Sequence, residues 1–396
     1  MTLKNLVTPL ELKTLWDSEY YKSILTATAS SCQFGRIREH QRNNTFKEIR
    51  ANLNALIVGE YGIGKSTMLD IKNVPIVRAN TVSVAGLAGT TTRSGEHVIG
   101  AAYKANNKLL IIDDVGSGEN SYIDNSVKRC MNLLLEPPHT FSRMLGFKMN
   151  IPVKEKKGGA WVKGSENQFT LRSKFSCIVA TTSVVIRNTD DKAWMSRFVP
   201  VKLHGSVDYM FEFLSGSNPF TITGLNRKVK LFEFPDYLEF LEFYEEHFRG
   251  SLWEKSIIEK EDEVGSIARN TGDLVRLAAF NCAVDDRINI EFEDAKKVFD
   301  RFYNQIWFNI QVGPLTHEQY RVLLLLNKKL TEDEIAETIQ RSQPYVSKMI
   351  EKFESKGILV DRKVAKEVEN FKQTSWEKLE PQQTLSESVK LDGSHE

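Results

Sequence analysis

The sequence lacks any apolar run long enough for a membrane helix, and it has almost no net charge. Its longest apolar runs span four or five residues, as at 322–326, whereas a membrane-spanning helix needs about 18. The first residues, MTLKNLVTPLELK, lack the apolar centre of a signal peptide. The 53 Lys and Arg residues nearly balance the 52 Asp and Glu residues, giving a formal charge of +1, which excludes a wholly basic nucleic-acid coat but allows local basic patches. We therefore expect a soluble cytoplasmic protein with no membrane partner.

Cysteine is also scarce, and its spacing excludes the usual metal-binding patterns. The four cysteines are far apart and form no CxxC pair: Cys32, Cys130, Cys177 and Cys282. They are expected to be buried thiols in a reducing compartment. The content of 41% hydrophobic and 27% charged residues is ordinary for a globular protein, and 396 residues allow two or three domains.

Changes in pattern along the chain predict five segments. They are a polar helical leader (1–50), an α/β core (51–212), a turn-rich linker with a helical lid (213–312), a helix-turn-helix unit with a wing (313–375) and a disordered tail (376–396). Within the core, short apolar runs that end in small or acidic residues predict buried parallel strands. These runs are 55–59, 109–112 and 175–180.

The most specific motif is GEYGIGKST, which directly follows the first of these runs. Its glycines let backbone N–H groups surround phosphates at the start of a helix, the lysine reaches the β- and γ-phosphates, and the serine hydroxyl binds Mg²⁺. The predicted nucleotide-binding residues are Gly59, Gly62, Gly64, Lys65, Ser66 and Thr67. The alternative is a chance glycine-rich turn. A preceding strand and a following helical pattern favour an ATP or GTP site with Mg²⁺.

A second motif, LLIIDD, ends the apolar run at 109–112. An acidic residue at the end of a strand can hold Mg²⁺ beside the phosphates. We expect Asp113 to bind the metal and Asp114 to polarise the attacking water. The alternative is an acid that only caps a turn.

Further motifs, in order, resemble the minichromosome maintenance (MCM) clade of AAA+ ATPases. The segment GLAGTTTRSGEHVIG (86–100) resembles an insert hairpin, WVKG (161–164) and TLR (170–172) a hairpin before the sensor strand, and CIVATTS (177–183) that strand. The resemblance covers about residues 50–300. It implies a P-loop AAA+ core with a parallel sheet, an all-α lid and a C-terminal winged helix-turn-helix. It also implies a ring, expected to be a hexamer, with ATP between subunits and DNA as the partner.

The resemblance assigns roles to four further positions. Arg197, in SRF (196–198), stands at the arginine finger that completes the neighbouring subunit's site, and Arg269 matches the sensor-2 helix of the lid. Ser183, or Thr182, stands where the clade has a sensor asparagine, and Asp114 stands where it usually has glutamate. The plain alternatives are an ion-paired surface residue for Arg197 and a solvated helix residue for Arg269. About fifty residues precede the core, so we expect the clade's large N-terminal DNA-binding region to be missing.

The segment 143–174 is strongly basic, with eight Lys or Arg residues and two glutamates. A Gly-Gly step between alternating flanks predicts a long hairpin that grips nucleic-acid phosphates without reading sequence. Lys163 best matches the clade's channel lysine, followed by Lys156 and Lys157. The alternative is a solvated loop that happens to be basic.

Near the C-terminus, Thr331 and Glu334 form the pattern of a capping box before an amphipathic helix. A second helix and a short hairpin follow, which is the helix-turn-helix pattern with a wing. The residues expected to face DNA are Gln343, Tyr345, Ser347, Lys348, Arg362 and Lys363. The same unit can instead dock a protein.

Together, these features predict an ATP-driven, Mg²⁺-dependent ring motor that translocates or unwinds DNA, in the replication of a mobile element, virus or archaeal host. One alternative is an ATP-switch initiator or loader that binds duplex DNA through the winged helix. Another is an AAA+ remodeller of a protein partner.

Overall fold

The computed structural model describes most of the chain between residues 18 and 364. The described residues are 18–59, 65–79, 82–91, 97–113, 115, 123–136, 138–156, 160–182, 185–186, 191–202, 222–251, 253–254, 265–312, 317–327, 329–355, 358–360 and 363–364. Within these ranges, none of the helices combines the length and apolar character that a bilayer crossing demands.

The described strands are short, apart from one long pair. They are β1 (Phe34–His40), β2 (Phe46–Arg50), β3 (Asn54–Val58), β4 (Ile71–Lys72), β5 (Ile76–Ala79), β6 (Gly89–Thr91), β7 (His97–Ile99), β8 (Leu109–Ile112), β9 (Thr140–Lys156), β10 (Ala160–Arg172), β11 (Ser176–Thr181), β12 (Val199–Lys202), β13 (Ile222–Thr223), β14 (Val229–Phe234), β15 (Leu359–Val360) and β16 (Lys363–Val364).

The described helices are longest in the C-terminal half. They are α1 (Ser18–Ser31), α2 (Lys65–Met68), α3 (Val84–Ala88), α4 (Ala101–Lys104), α5 (Asn125–Leu135), α6 (Lys192–Met195), α7 (Tyr237–Phe248), α8 (Gly265–Val284), α9 (Phe292–Val312), α10 (His317–Asn327), α11 (Glu332–Ile339) and α12 (Gln343–Ser355).

A five-stranded parallel sheet forms the centre of the α/β part, in the order β12-β3-β11-β8-β5. The three apolar runs in the sequence form three adjacent strands of this sheet, β3, β11 and β8, as predicted. Both faces of the sheet are buried: Ala55 and Ile57 contribute to one core, whereas Leu56 and Val58 contribute to the other. Burial of an aliphatic side chain stabilises the fold by roughly 1.5–3 kcal/mol. The buried sheet is therefore stable and fixes the positions at which the loops at its ends begin.

Different elements cover the two faces of this sheet. The first core joins it to α1, α7, α8 and α9, through residues such as Ile24, Leu274 and Phe302. The second core lies under α5 and the start of the long β9–β10 hairpin, through Val127 and Phe169. All four cysteines are buried thiols, as predicted, and within the described residues none of them forms a disulfide.

The prediction of a helical leader over residues 1–50 is wrong for residues 34–50, and residues 1–17 lie outside the described part. Helix α1 is buried against the central sheet, where Ser31 Oγ lies 3.0 Å from Ser176 Oγ and accepts a hydrogen bond from Leu53 N at 2.9 Å. After it, β1 and β2 form an antiparallel pair. From Ile37 to His40, buried and more exposed side chains of β1 alternate, which is the period of a strand.

The segment predicted as linker and helical lid also contains strands, and one of them, β14, lies directly before the helices. This strand pairs in parallel with β1, so that the three-stranded sheet has the order β14-β1-β2. Val229, Phe232 and Phe234 are buried, and the residues between them are more exposed. The alternation from Leu231 to Phe234 favours a strand over a helix. Helices α7, α8 and α9 agree with the rest of the predicted lid.

The C-terminal residues form three helices and a short hairpin. Helix α10 contacts α11 and β16, and α11 packs against α12. Strands β15 and β16 are antiparallel. The predicted capping box is present, with the Thr331 side chain accepting from Glu334 N and the Glu334 carboxylate accepting from Thr331 N. The assignment of this unit as a DNA-binding winged helix stays a prediction.

Candidate functional site

Three predicted site positions lie at the same edge of the central sheet. Strands β3, β11 and β8 are neighbours and parallel, so their carboxyl ends meet. Lys65 follows β3, Thr182 follows β11 and Asp113 follows β8. Open α/β sheets bind ligands at this edge. The fold therefore brings the phosphate, metal and sensor positions together.

Lys65 begins α2 and is buried, with 8% of its surface exposed. Its Nζ donates to the Gly59 carbonyl oxygen at 3.0 Å, across the loop that would surround the phosphates. Gly59 N donates to Thr181 O at 3.1 Å, which fixes the start of that loop to β11. Ser66 is exposed. Gly62 and Gly64 lie outside the described residues, as does the side chain of Thr67.

Asp113 has the environment expected of a metal-binding carboxylate. Its backbone N–H donates to Ala79 O at 3.2 Å, which fixes the residue at the end of β8. Its Oδ1 is buried and has no hydrogen-bond partner among the described residues. A buried acceptor of this kind costs free energy until it is satisfied. Since Mg²⁺ prefers oxygen ligands and often binds through its water molecules, Asp113 and Ser66 fit such an ion.

The sensor and water-polarising positions are only partly described. Thr182 is buried, and its Oγ1 accepts from Val185 N at 3.4 Å. The adjacent Thr181 donates from Oγ1 to Val115 O at 2.7 Å, so its hydroxyl already has an internal partner. Ser183 and Asp114 lie outside the described residues. Their predicted roles stay predictions.

Arg197 lies at the opposite edge of the sheet from Lys65. It lies two residues before β12, whose first residue pairs with Ala55 near the start of β3, and its carbonyl oxygen accepts from Asn54 Nδ2 at 3.2 Å. The five residues of β3 separate the two edges, at roughly 3.3 Å per residue. Arg197 is therefore far from the phosphate loop of its own chain. Its Nη2 lies 3.1 Å from Glu136 Oε2, as the alternative of an ion-paired residue also requires.

Arg269 lies near Arg197, and its predicted role at the nucleotide stays a prediction. Both arginines line a cleft of ≈ 450 Å³ at the amino edge of the sheet. Burial, and then the nearby Arg197, lower the pKa of Arg269. Helix α8, which carries Arg269, packs on α1. We call this cleft the arginine cleft.

Two charged residues of the arginine cleft were not singled out from the sequence. Asp273 lies 2.6 Å from Arg276 Nη1, and burial raises the pKa of its carboxyl group. Arg276 Nε donates to the Arg50 carbonyl oxygen at 3.1 Å, linking α8 to β2. Asp273 had no signal, because only the fold brings residue 273 near residue 50.

The predicted basic hairpin is present. Strands β9 and β10 are antiparallel over their length, with Trp161 opposite Glu155, and the register shifts twice. Phe141, Phe169 and Leu171 anchor its base in the second core. Lys163 is exposed. The side chain of Lys156, and the whole of Lys157, lie outside the described part.

A second, shorter hairpin occupies the place of the predicted insert. Strands β6 and β7 are antiparallel, and residues 92–96 between them are outside the described ranges. Gly100 follows β7 so closely that a Cβ there would lie 2.3 Å from Gly89 N. Only glycine fits this contact.

The predicted DNA-facing residues of α12 make contacts within the chain. Tyr345 donates from its hydroxyl to Glu318 Oε2 at 2.8 Å, and Gln343 Nε2 donates to Glu332 Oε2 at 2.8 Å. Lys348 is exposed and Ser347 is half-buried. Arg362 and the side chain of Lys363 lie outside the described part. Two carboxylates thus lie at the helix end that was expected to approach DNA.

Comparison with known proteins adds no family or relative to these observations. Neither a scan against protein-family models nor a search of curated proteins gave a significant match to this chain.

Proposed function

We propose that this chain is an MCM-like AAA+ ATPase that couples ATP hydrolysis to movement along DNA. The observation that carries the proposal is the meeting of Lys65, Thr182 and Asp113 at the carboxyl ends of three neighbouring parallel strands. Lysine and an acid at those positions are the two charges that a magnesium nucleotide needs. The nucleotide is ATP, in keeping with the resemblance to the MCM clade.

In this mechanism, Lys65 holds the β- and γ-phosphates, Ser66 and Asp113 hold Mg²⁺, and Asp114 orients the attacking water. Mg²⁺, when bound, neutralises charge that develops on the phosphates. Thr182 or Ser183, which follow strand β11 between β3 and β8, forms a hydrogen bond with this water.

Arg197 acts on the nucleotide of a neighbouring subunit, since it lies at the opposite edge from its own phosphate loop. An arginine supplied in this way stabilises transition-state charge and accelerates phosphoryl transfer by about 10³–10⁵-fold. Such head-to-tail contacts close into a ring. The basic β9–β10 hairpin then grips DNA phosphates through Lys163, with Lys156 and Lys157 beside it.

The test is ATP-dependent separation of a forked DNA duplex, with Lys65→Ala protein as the control. Strand separation by the wild-type protein alone supports a motor. Lys163→Ala should then abolish separation while leaving ATP binding unchanged, and Lys228→Ala, at an exposed lysine away from the hairpin, should leave both unchanged. An intact fork, with ATP and DNA both bound, would instead favour the initiator switch.

A second candidate is a remodeller of a protein partner. It is favoured by the first turn of α11, which carries Glu332, Asp333 and Glu334 next to the start of α12, where Gln343 Nε2 donates to Glu332 Oε2. A phosphate backbone would be repelled there. An ATPase rate that does not respond to DNA supports this candidate over the motor.

A further inference from the structure

A second cleft, which shares Glu48, Ile49 and Arg50 with the arginine cleft, has a strongly basic lining. It encloses ≈ 660 Å³ between the three-stranded sheet and the base of the long hairpin, a size typical of ligand sites. Its lining includes five cationic side chains and one carboxylate: Arg36, Arg50, Arg172, Lys174, Lys230 and Glu48. We call it the basal pocket.

The single carboxylate does not neutralise these cations. Glu48 accepts from Arg36 Nη1 at 2.6 Å and from Arg38 Nη2 at 3.2 Å, so it already serves one lining arginine and one arginine outside the pocket. Within the described residues, neither Arg172 nor Lys230 pairs with a carboxylate. Asp273 and Glu136 of the arginine cleft offset part of the charge of Arg50, but the other lining cations keep the pocket positively charged.

The backbone brings like charges together in this pocket. Arg36 and Arg50 lie directly opposite each other on the antiparallel strands β1 and β2. Like charges at such positions destabilise a sheet, because the two side chains share one face. Sites that break a local rule in this way are often functional.

Two of the cations are also poorly hydrated. Arg50 Nη1 is buried and has no hydrogen-bond partner among the described residues, and burial lowers the pKa of Arg50 to about 9. Lys174 Nζ donates to Phe34 O at 2.8 Å and to Gly35 O at 3.1 Å. Burial, then Arg36 and Arg50, lower the pKa of Lys174 to about 8. A bound anion would relieve the mutual repulsion of these groups.

The pKa of His139 reflects the same concentration of positive charge. Its Nδ1 lies 2.9 Å from the Leu134 carbonyl oxygen, and it lines the pocket beside Arg172. Burial, with repulsion from Arg50, Lys174 and Arg172, lowers the pKa of His139 to about 4. The imidazole is thus neutral at pH 7 and adds no positive charge to the pocket.

We propose that the basal pocket binds phosphate groups, held between Arg50 and Lys174 on the inside and Arg172 and Lys230 at the rim. A guanidinium group can donate two parallel hydrogen bonds to the oxygens of a phosphate. Hydrogen bonds between charged groups of this kind are stronger than those between neutral groups. Two sources supply such groups: the phosphodiesters of a nucleic-acid strand and a free polyphosphate. The pocket adjoins the hairpin, since Arg172 ends β10 and His139 immediately precedes β9. A nucleic-acid strand held by the hairpin would therefore pass the pocket.

The test uses Arg172→Gln/Lys230→Gln in a Lys65→Ala background, which removes the phosphate loop as a competing anion site. Both rim residues are exposed, so the fold should be retained, and thermal unfolding checks this. Arg129→Gln/Lys228→Gln, in the same background, is the matched control, because it removes two exposed cations that do not line the pocket.

In the first arm, binding of inorganic tripolyphosphate is measured by calorimetry with a metal chelator present. The rim variant should bind about tenfold more weakly than the control, the loss expected when charged hydrogen bonds are removed. In the second arm, binding of a 20-nucleotide oligo(dT) is measured by fluorescence anisotropy at several salt concentrations. If a nucleic-acid strand supplies the phosphate groups, the slope of log affinity against log salt should fall by about 1.4, or 0.7 for each lost phosphate contact.

A loss in both arms supports the proposal with the strand as the source, and a loss with tripolyphosphate alone supports it with a free polyphosphate. The proposal is overturned if the rim variant and the control bind both probes equally. Neither arm requires ATP hydrolysis, so failure of the proposed ATPase function would not affect the result.

Discussion

At the scale of single residues, the least expected finding is a buried glutamate near the arginine cleft. Glu39 is 2% exposed, and its Oε2 has no hydrogen-bond partner among the described residues. Lys47 Nζ is 4.0 Å away and is itself exposed. Burial raises the pKa of Glu39 to about 7, against smaller opposing effects of Lys47 and Arg276. The folded protein therefore binds a proton at Glu39 more tightly than the unfolded chain does.

We expect Glu39→Gln to stabilise the protein at pH 8 and to have little effect at pH 4.5 or below. Because the folded-state pKa is raised, the contribution of Glu39 to stability is present below the unfolded value of 4.5 and is lost as pH rises through about 7. The neutral amide removes this loss, which amounts to at most about 3 kcal/mol at pH 8. Urea unfolding at pH 4.5, 6 and 8 measures the difference.

The control for this prediction is Glu242→Gln, the same substitution at an exposed position of α7. It should shift stability by a similar amount at every pH, since water hydrates the side chain in both states. A Glu39→Gln protein that loses stability at pH 8 would contradict the prediction.

Motifs predicted Lys65 and Asp113 because their chemistry depends on local spacing, namely a loop of fixed length and the end of a strand. The arginine cleft was less predictable. Arg50 and Asp273 meet only through the packing of α8 against the first strands, and a sequence pattern contains no signal for a contact between residues more than two hundred positions apart. The place of Arg269 beside Arg197 was unpredictable for the same reason, and its role at the nucleotide stays a prediction.

At the scale of elements, fully buried strands were predicted better than half-exposed ones. Strands β3, β8 and β11 are continuous apolar runs, so composition alone indicates them. Strand β1 has the sequence FGRIREH, in which four of seven residues are charged or histidine, because one of its faces carries ion pairs such as Arg38–Glu233. Its strand character depends on pairing with β14, which lies in another part of the chain.

The pairing of β1 with β14 predicts that Gly35→Ala is strongly destabilising. A Cβ at Gly35 would lie 1.9 Å from the Lys230 carbonyl oxygen, so one backbone must move. Overpacking of this kind costs about 1–3 kcal/mol. We expect a lower urea midpoint for Gly35→Ala.

Gly265→Ala provides the comparison for this substitution. Gly265 begins α8, and a Cβ there would have no heavy atom within 4 Å. The free energy of unfolding of the Gly265→Ala protein should be unchanged or higher by about 0.4–1 kcal/mol, because alanine reduces the conformational freedom of the unfolded chain. Equal midpoints for the two variants would show that the β1–β14 contact is looser than described.

At the scale of the whole molecule, the two edges of the central sheet carry complementary halves of one proposed site. Lys65 and Asp113 belong to the carboxyl edge, whereas Arg197 belongs to the amino edge. A single chain therefore does not complete the proposed site. This separation gives a direct test of assembly.

Lys65→Ala and Arg197→Ala proteins should each lack ATPase activity, but their mixture should regain part of it. If subunits mix at random in a head-to-tail ring, about one quarter of the interfaces combine an intact lysine with an intact arginine. The mixture should then hydrolyse ATP at about that fraction of the wild-type rate, as measured by phosphate release.

The matched control mixes Lys65→Ala with the double variant Lys65→Ala/Arg197→Ala, which leaves no intact interface. It should remain inactive. If the first mixture is no more active than this control, under conditions in which the subunits exchange, the shared site is refuted.

The parallel pairing of β1 with β14 also has a consequence for synthesis of the chain. Phe34 pairs with Val229, which lies 195 residues later. At about 5–20 residues per second, β1 leaves the ribosome roughly 10–40 s before its partner. During that time one edge of the β1–β2 ribbon is open, and such edges invite pairing with other chains. Nascent chains should therefore depend on early chaperone binding near residues 34–50, and folding should be completed only after the lid has been made.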